Sequence, residues 1–153
     1  MKRIALLAAI IAIVGVSSVC AQSTVVISTP MGNAAATYKN TLKLSYSEAI
    51  GGFTTVSLSN TNANVVDSIA GDLSINRTDR TADSLTLVAL QTMTGADYLC
   101  YSTIDERNDR LNVETMLINC NTGRIEKILS RGISRNVIDV RNIAQILAKE
   151  LLL

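Results

Sequence analysis

Three β-prone segments, residues 98–104, 111–118 and 124–133, follow one another with only tight turns between them. Asn108-Asp109 suits a two-residue hairpin turn, and Asn121-Thr122-Gly123 supplies a second turn. Links this short force neighbouring strands to pair antiparallel. Whatever else the chain does, it must build a meander from its carboxy-terminal half.

The segments before the meander are spaced differently. Residues 25–28 form a β-branched run, broken by Thr29-Pro30-Met31-Gly32-Asn33. Residues 39–50 place apolar side chains at 42, 46, 49 and 50, a helical stripe ended by Gly51-Gly52. Residues 53–58 read as a second strand, and 60–64 as a turn rich in helix amino-cap residues. Val65, Val66, Ile69, Ala70 and Leu73 then repeat at helical spacing. Residues 74–82 read as a polar loop, and 83–93 as a helix with Leu85, Val88, Ala89 and Met93 on its stripe. Gly95 follows where a left-handed residue closes a helix. A last helix, with Asp139 expected as its cap, carries Val140, Ile143, Ala144, Leu147 and Leu151 on one face.

The expected order is therefore β-α-β-α-α-β-β-β-α. Helical connections favour parallel crossovers among the first three strands, so the fold class is α/β: one domain, a mixed five-stranded sheet and helices packed on it. No internal repeat interrupts this plan.

Residues 1–21 stand outside it. Lys2 and Arg3 precede an apolar run over 4–16, and Val19-Cys20-Ala21 places small or apolar residues around a cleavage point. This is the three-part pattern of a secretory signal peptide. Cleavage after Ala21 is expected, leaving 22–153 as the mature domain with a net charge of −1 in place of +1. Acylation at Cys20 is the alternative, although Ser17-Ser18-Val19 departs from the Leu-Ala/Ser-Gly/Ala pattern of such sites. No second apolar run of about 20 residues follows that could span a membrane.

The sequence contains no histidine, which excludes Ser-His-Asp and Cys-His catalysis and histidine-ligated metal. Its near-zero net charge and five Tyr and Phe residues argue against nucleic acid as a partner. Asp97 could be a functional carboxylate, or an acceptor at the helix-to-strand turn. Asp105, Glu106 and Asp109 cluster at the hairpin tip, but Arg107 and Arg110 among them spoil a calcium field. Gly51-Gly52 ends a helix and is not a phosphate loop; Asn76-Arg77-Thr78 matches a glycosylation sequon by chance. Arg124, Lys127, Arg131, Arg135 and Arg141 make the last third basic, either a surface for a negatively charged partner or charges guarding an edge strand. Arg131 and Arg135 are the candidate partner surface. No catalytic, cofactor or metal residue is assigned.

With a two-residue turn at Asn108-Asp109, paired positions sum to 217, so Cys100 faces Leu117 and Cys120 faces Asp97. Three positions of offset is about 10 Å, beyond the roughly 7 Å a disulfide tolerates. Two separate buried thiols are expected; a three-residue loop would instead make the sum 220 and place the cysteines opposite each other.

The stretch 95–125 resembles a pattern in bacterial envelope proteins: Gly-x-Asp-Tyr, an apolar strand, a tight turn, an alternating strand, then Leu-Ile/Val-Asp-x-x-Thr-Gly-Glu-Ile. It lands here on Gly95-Ala96-Asp97-Tyr98, on Asn108-Asp109, and on residues 117–125 with Thr122-Gly123 at their turn. The pattern is that of the CsgG-like group, with relatives in the TolB amino-terminal domain and the LpoB activator of cell-wall synthesis. Ser102, Asn119 and Arg124 stand where that pattern has glycine, an acid and Glu. The resemblance implies a non-enzymatic, exported domain in the periplasm or at the outer membrane of a bacterium, docking on another envelope protein or on itself. A small-ligand carrier and a small exported enzyme are the alternatives.

Overall fold

The computed structural model describes residues 22–153; the expected leader, with its cleavage and acylation positions, lies outside the described residues. In chain order the elements are β1 (Ser23–Ile27), α1 (Ala36–Gly51), β2 (Val56–Leu58), α2 (Ala63–Ala70), β3 (Ile75–Asn76), β4 (Thr81–Ala82), α3 (Ser84–Thr94), β5 (Tyr98–Arg107), β6 (Arg110–Asn119), β7 (Ile125–Ser134) and α4 (Val137–Leu152).

The main sheet runs β2-β1-β5-β6-β7. β1 is parallel to both β2 and β5, and the β5-β6-β7 meander is antiparallel. This is the mixed five-stranded sheet that the spacing of the segments implies. The Asn108-Asp109 turn has φ of 53° and 60°, the two left-handed residues of a tight hairpin. It pairs Arg107 with Arg110 and Cys100 with Leu117.

Strand alternation then sorts the sheet residues onto two faces. Val25, Cys100, Ile104, Leu111, Val113 and Leu117 meet α1 and α4 on one face. Val26, Leu99, Met116, Ile118, Cys120 and Ile125 meet α2 and α3 on the other. The expected α4 stripe is buried in full, with Ala148 added. Under α1, the Tyr46 hydroxyl bonds the Thr115 hydroxyl, which also lies 3.2 Å from the Ser102 Oγ. These buried hydroxyls satisfy one another, which avoids the penalty of an unpaired polar group and fixes how α1 sits on the meander.

Four expectations are corrected. The 83–93 helix exposes Leu85, Val88 and Met93 and buries Leu87 and Leu90 instead. Its apolar residues lie almost all round, so periodicity cannot select the buried stripe; Asp83, which accepts the Leu85 amide at 3.2 Å as amino cap, helps set the rotation. The 74–82 loop is the β3–β4 hairpin, held to the 121–123 turn by Ala82 N–H to Gly123 carbonyl at 2.8 Å and by Ile125 N–H to Arg80 carbonyl at 2.9 Å. Asn136, not Asp139, caps α4, its Oδ1 accepting the Ile138 amide at 2.7 Å, while Asp139 lies in the first turn. Finally, β2 begins at Val56, because the Phe53 amide is still tied to the Ile50 carbonyl at the end of α1.

Both described cysteines are buried and free, on opposite faces of the sheet. Burial pushes the Cys100 thiol up to about 12, against a smaller opposing effect of its contact with Ser102. Burial, then the nearby Asp97 carboxylate, pushes Cys120 up to about 11. A protein beginning at Gln22 is expected to release no thiol to an aromatic disulfide reagent when native and two when denatured; no free thiol after denaturation would overturn the register. Because both folded values exceed the ordinary thiol value of 9.0, the folded state keeps its protons longer than the unfolded chain. Unfolding free energy is therefore expected to be independent of these thiols below pH 9 and to fall as pH rises toward 12, by about 1.4 kcal/mol per pH unit for each thiol ionised only when unfolded. Urea titrations across that range, repeated with Cys100→Ala, measure the slope.

Candidate functional site

Past its last paired residue, β1 does not leave the sheet. Residues 28–34 remain tied to β5: the Ser28 amide bonds the Cys100 carbonyl, the Met31 amide the Ser102 carbonyl, and the Ala34 amide the Ile104 carbonyl. Gly32 makes this approach possible. Its φ is 103°, and a Cβ there would sit 2.5 Å from the Ile104 carbonyl oxygen. Beyond it, Asn33 and Asp105 clamp the segment: Asp105 Oδ1 accepts the Asn33 amide at 2.9 Å, and Asn33 Oδ1 accepts the Glu106 amide at 2.7 Å.

Between these ties Thr29 turns toward α2. Its amide donates to Asp67 Oδ1 at 2.7 Å and its hydroxyl to Asp67 Oδ2 at 2.6 Å. Lys43, from α1, donates to the Thr29 hydroxyl at 2.9 Å and lies 3.9 Å from Asp67 Oδ2. Three elements thus meet at the carboxyl end of β1, where an open α/β sheet forms its ligand crevice. A cavity of about 220 Å³ opens there, lined by Ser28, Thr29, Pro30, Met31, Asp67 and Tyr101 among others. A second, of about 140 Å³, lies on the β2 side, lined in part by Lys43, Ser47, Ser59 and Thr61.

Sequence reasoning missed this crevice. The signal was a polar Ser28-Thr29 pair at the carboxyl end of the first β strand, and an acid, Asp67, set among the apolar residues of α2. The residues it did single out lie elsewhere. Asp97 Oδ2 accepts the Thr24 amide at 2.9 Å, and its backbone bonds Thr24 and Cys120, so it joins β1, β5 and the end of β6. Asp105 serves the Asn33 clamp, and Glu106 pairs with Arg135 at 2.6 Å. Among the described residues no group of three metal-ligating side chains is placed to hold an ion.

Arg131 and Arg135 lie on and just beyond β7. Each has an intramolecular carboxylate: Arg131 bonds both oxygens of Glu150, at 2.8 and 3.1 Å, and Arg135 bonds Glu106 and approaches Asp109 at 3.6 Å. Both guanidinium groups remain over two-fifths exposed. Arg77, in the β3–β4 turn, spans the other face to a bidentate pair with Glu114. Lys127 joins Arg131 at Glu150, reaching its carbonyl at 2.7 Å, while Arg141 lies apart, bordering a hollow with Leu44 and Glu48.

No family model matches the chain, and no curated protein does. Solved structures match its fold. The LpoB C-terminal domain from Salmonella enterica aligns over 75% of this chain and 84% of its own, at 13% identity and a TM-score of 0.52. Lipoprotein GNA1162 from Neisseria meningitidis aligns over 85% and 96%, at 12% identity and a TM-score of 0.53. A PelC dodecamer from Paraburkholderia phytofirmans aligns over 86% of each chain, at 10% identity and a TM-score of 0.51. The LpoB-like fold expected from the hairpin pattern is therefore the fold found.

Asp67 holds the crevice together, so its removal should be felt in stability. Asp67→Ala leaves the Thr29 amide and hydroxyl without an acceptor and is expected to lower unfolding free energy by about 1–3 kcal/mol. Asp67→Asn, which keeps one acceptor oxygen, should cost less. Urea unfolding midpoints of the two variants give the comparison, and equal losses would mean that the charge rather than the acceptor geometry matters.

Proposed function

We propose that this chain is an exported, non-enzymatic domain of the bacterial cell envelope that works by docking on another protein. The observation that carries the reading is an open sheet edge. β7 is the last strand of the sheet, and among the described residues only its start is covered, by Arg80 and Thr81 of the small hairpin. From 127 to 134 it pairs with β6 on its inner side, and among the described residues no strand pairs with its outer side. Such an edge offers unpaired backbone groups to a partner. Arg131 and Arg135 flank it with exposed guanidinium groups that can exchange an internal carboxylate for one on a partner.

Export follows from the signal-peptide pattern of residues 1–21, with the periplasm or outer-membrane surface as destination. The shared fold supports an envelope role: one similar structure is that of lipoprotein GNA1162, and another is the LpoB domain. A second copy of this chain is the other candidate partner, a reading favoured by the dodecameric state of the PelC structure. The absence of histidine argues against the commonest hydrolytic chemistries.

Charge reversal at both positions, Arg131→Glu with Arg135→Glu, is expected to weaken crosslinked capture of the partner from native periplasm. Stability should change by less than about 1 kcal/mol per site, because exposed ion pairs contribute little. Unchanged capture by the double variant would reject this surface, and light scattering on the wild-type chain separates a second copy from a different protein.

A further inference from the structure

We propose that the crevice at the carboxyl end of β1 holds the tip of a basic side chain: a guanidinium or ammonium on an aliphatic stem. The site rests on the docking reading only for its source, a lysine or arginine of the docked partner.

Topology is the first support. β1 leads into α1 on one face of the sheet and β2 leads into α2 on the other, so the connections diverge between the neighbouring strands β1 and β2, at their carboxyl ends. Open α/β sheets bind ligands at such a switch point. The cavity of about 140 Å³ lies at that point, and the cavity of about 220 Å³ lies beside it, past the end of β1 on the β5 side, against Ser28 and Tyr101.

An unpartnered buried hydroxyl is the second. Ser28 is 2% exposed and its Oγ has no hydrogen-bond partner among the described residues. The neighbouring Thr29 hydroxyl donates to Asp67 and accepts from Lys43, and makes no bond to Ser28. Buried hydroxyls are normally bonded, and this one belongs to a residue that lines the cavity, so a group entering there can supply its partner. A serine hydroxyl reaches a neighbouring direction by turning about a single bond.

The chemistry of the walls selects the occupant. Pro30, Met31 and the Tyr101 ring supply an apolar sleeve that suits methylene groups. Asp67 supplies the charge. Thr29 occupies one lone pair on each of its oxygens, and Lys43, at 3.9 Å, is not within hydrogen-bond distance of the carboxylate. The carboxyl end of α2, at Ala70 and Gly71, borders the same cavity and adds negative potential. Lys43 lines the neighbouring cavity, not this one, and its ammonium is held by the Thr29 hydroxyl. A guanidinium brings several N–H donors for Asp67 and Ser28 and stacks on an aromatic ring.

The test uses amide spectra of the full exported protein, titrated with N-acetyl-arginine methylamide, its lysine counterpart and its neutral citrulline isostere. The two cationic probes are expected to shift the amides of 28, 29, 31, 67–71 and 101 at millimolar concentration, with citrulline at least about tenfold weaker for want of a charge-assisted bond. Ser28→Ala should weaken the arginine probe severalfold and leave the urea midpoint unchanged or raised, because the lost hydroxyl had no partner in the free protein. No shift at these residues, or equal binding of citrulline, overturns the proposal. A lowered midpoint for Ser28→Ala would assign the hydroxyl to the fold and overturn its role here. Probe binding needs no partner protein: unchanged capture by the Arg131→Glu, Arg135→Glu variant would remove the docking surface on β7 and leave this site standing, while a silent titration would do the reverse.

Discussion

The register of β5 against β6 is the constraint on which the rest depends. Two left-handed residues, Asn108 and Asp109, close the hairpin, and ten consecutive pairs follow from Arg107–Arg110 down to Tyr98–Asn119. A slip of one residue would send every side chain to the opposite face. The alternation places Cys100 beneath α1 and α4 and Cys120 beneath α3, so these two thiols cannot join to each other. It also brings Ser102 opposite Thr115, where both meet the Tyr46 hydroxyl. That contact is specific in a way apolar packing is not, since sliding α1 along the sheet would strand buried hydroxyls.

β5 then carries two kinds of structure at once. On one side it is antiparallel to β6 for its whole length; on the other it pairs with β1 for three residues and is afterwards followed by the irregular 28–34 segment. The segment satisfies its backbone on β5 at intervals and lets Ser28 and Thr29 depart toward α2 between them. The crevice is therefore a product of the hairpin's length. A β5 ending at residue 101 would offer no carbonyl for Met31 or Ala34.

The surface charges form paired clusters. Arg77 with Glu114, Arg131 with Glu150 and Arg135 with Glu106 each tie one element to another across the outer half of the meander. The neighbouring carboxylates hold Arg77 and Arg135 further above their already high values, so these groups stay charged at any working pH. Pairs this exposed contribute little to stability, and they leave the guanidinium groups free to exchange partners. The edge of β7 is thus guarded by charge and remains open along most of its length.

What the sequence by itself determined is local in origin. Turn chemistry at 108–109 and 121–123, the period of two along the meander and the period of 3.6 along α4 each repeat within a few residues, so the pairing direction of the meander, the face of each cysteine and the buried stripe of α4 are legible without a structure. Tertiary structure decided the remainder. Which face of α3 is buried depended on how the sheet received a helix apolar on nearly every side. The 74–82 segment became a hairpin only because the 121–123 turn offered it backbone partners. Thr29 and Asp67 stand 38 positions apart and no periodicity links them; they meet because α2 packs across the end of β1, a contact set by the burial of Val66 and Ala70 against the sheet. Local pattern reports a residue's own face, whereas a site made of several elements exists only once long-range burial has brought those faces together.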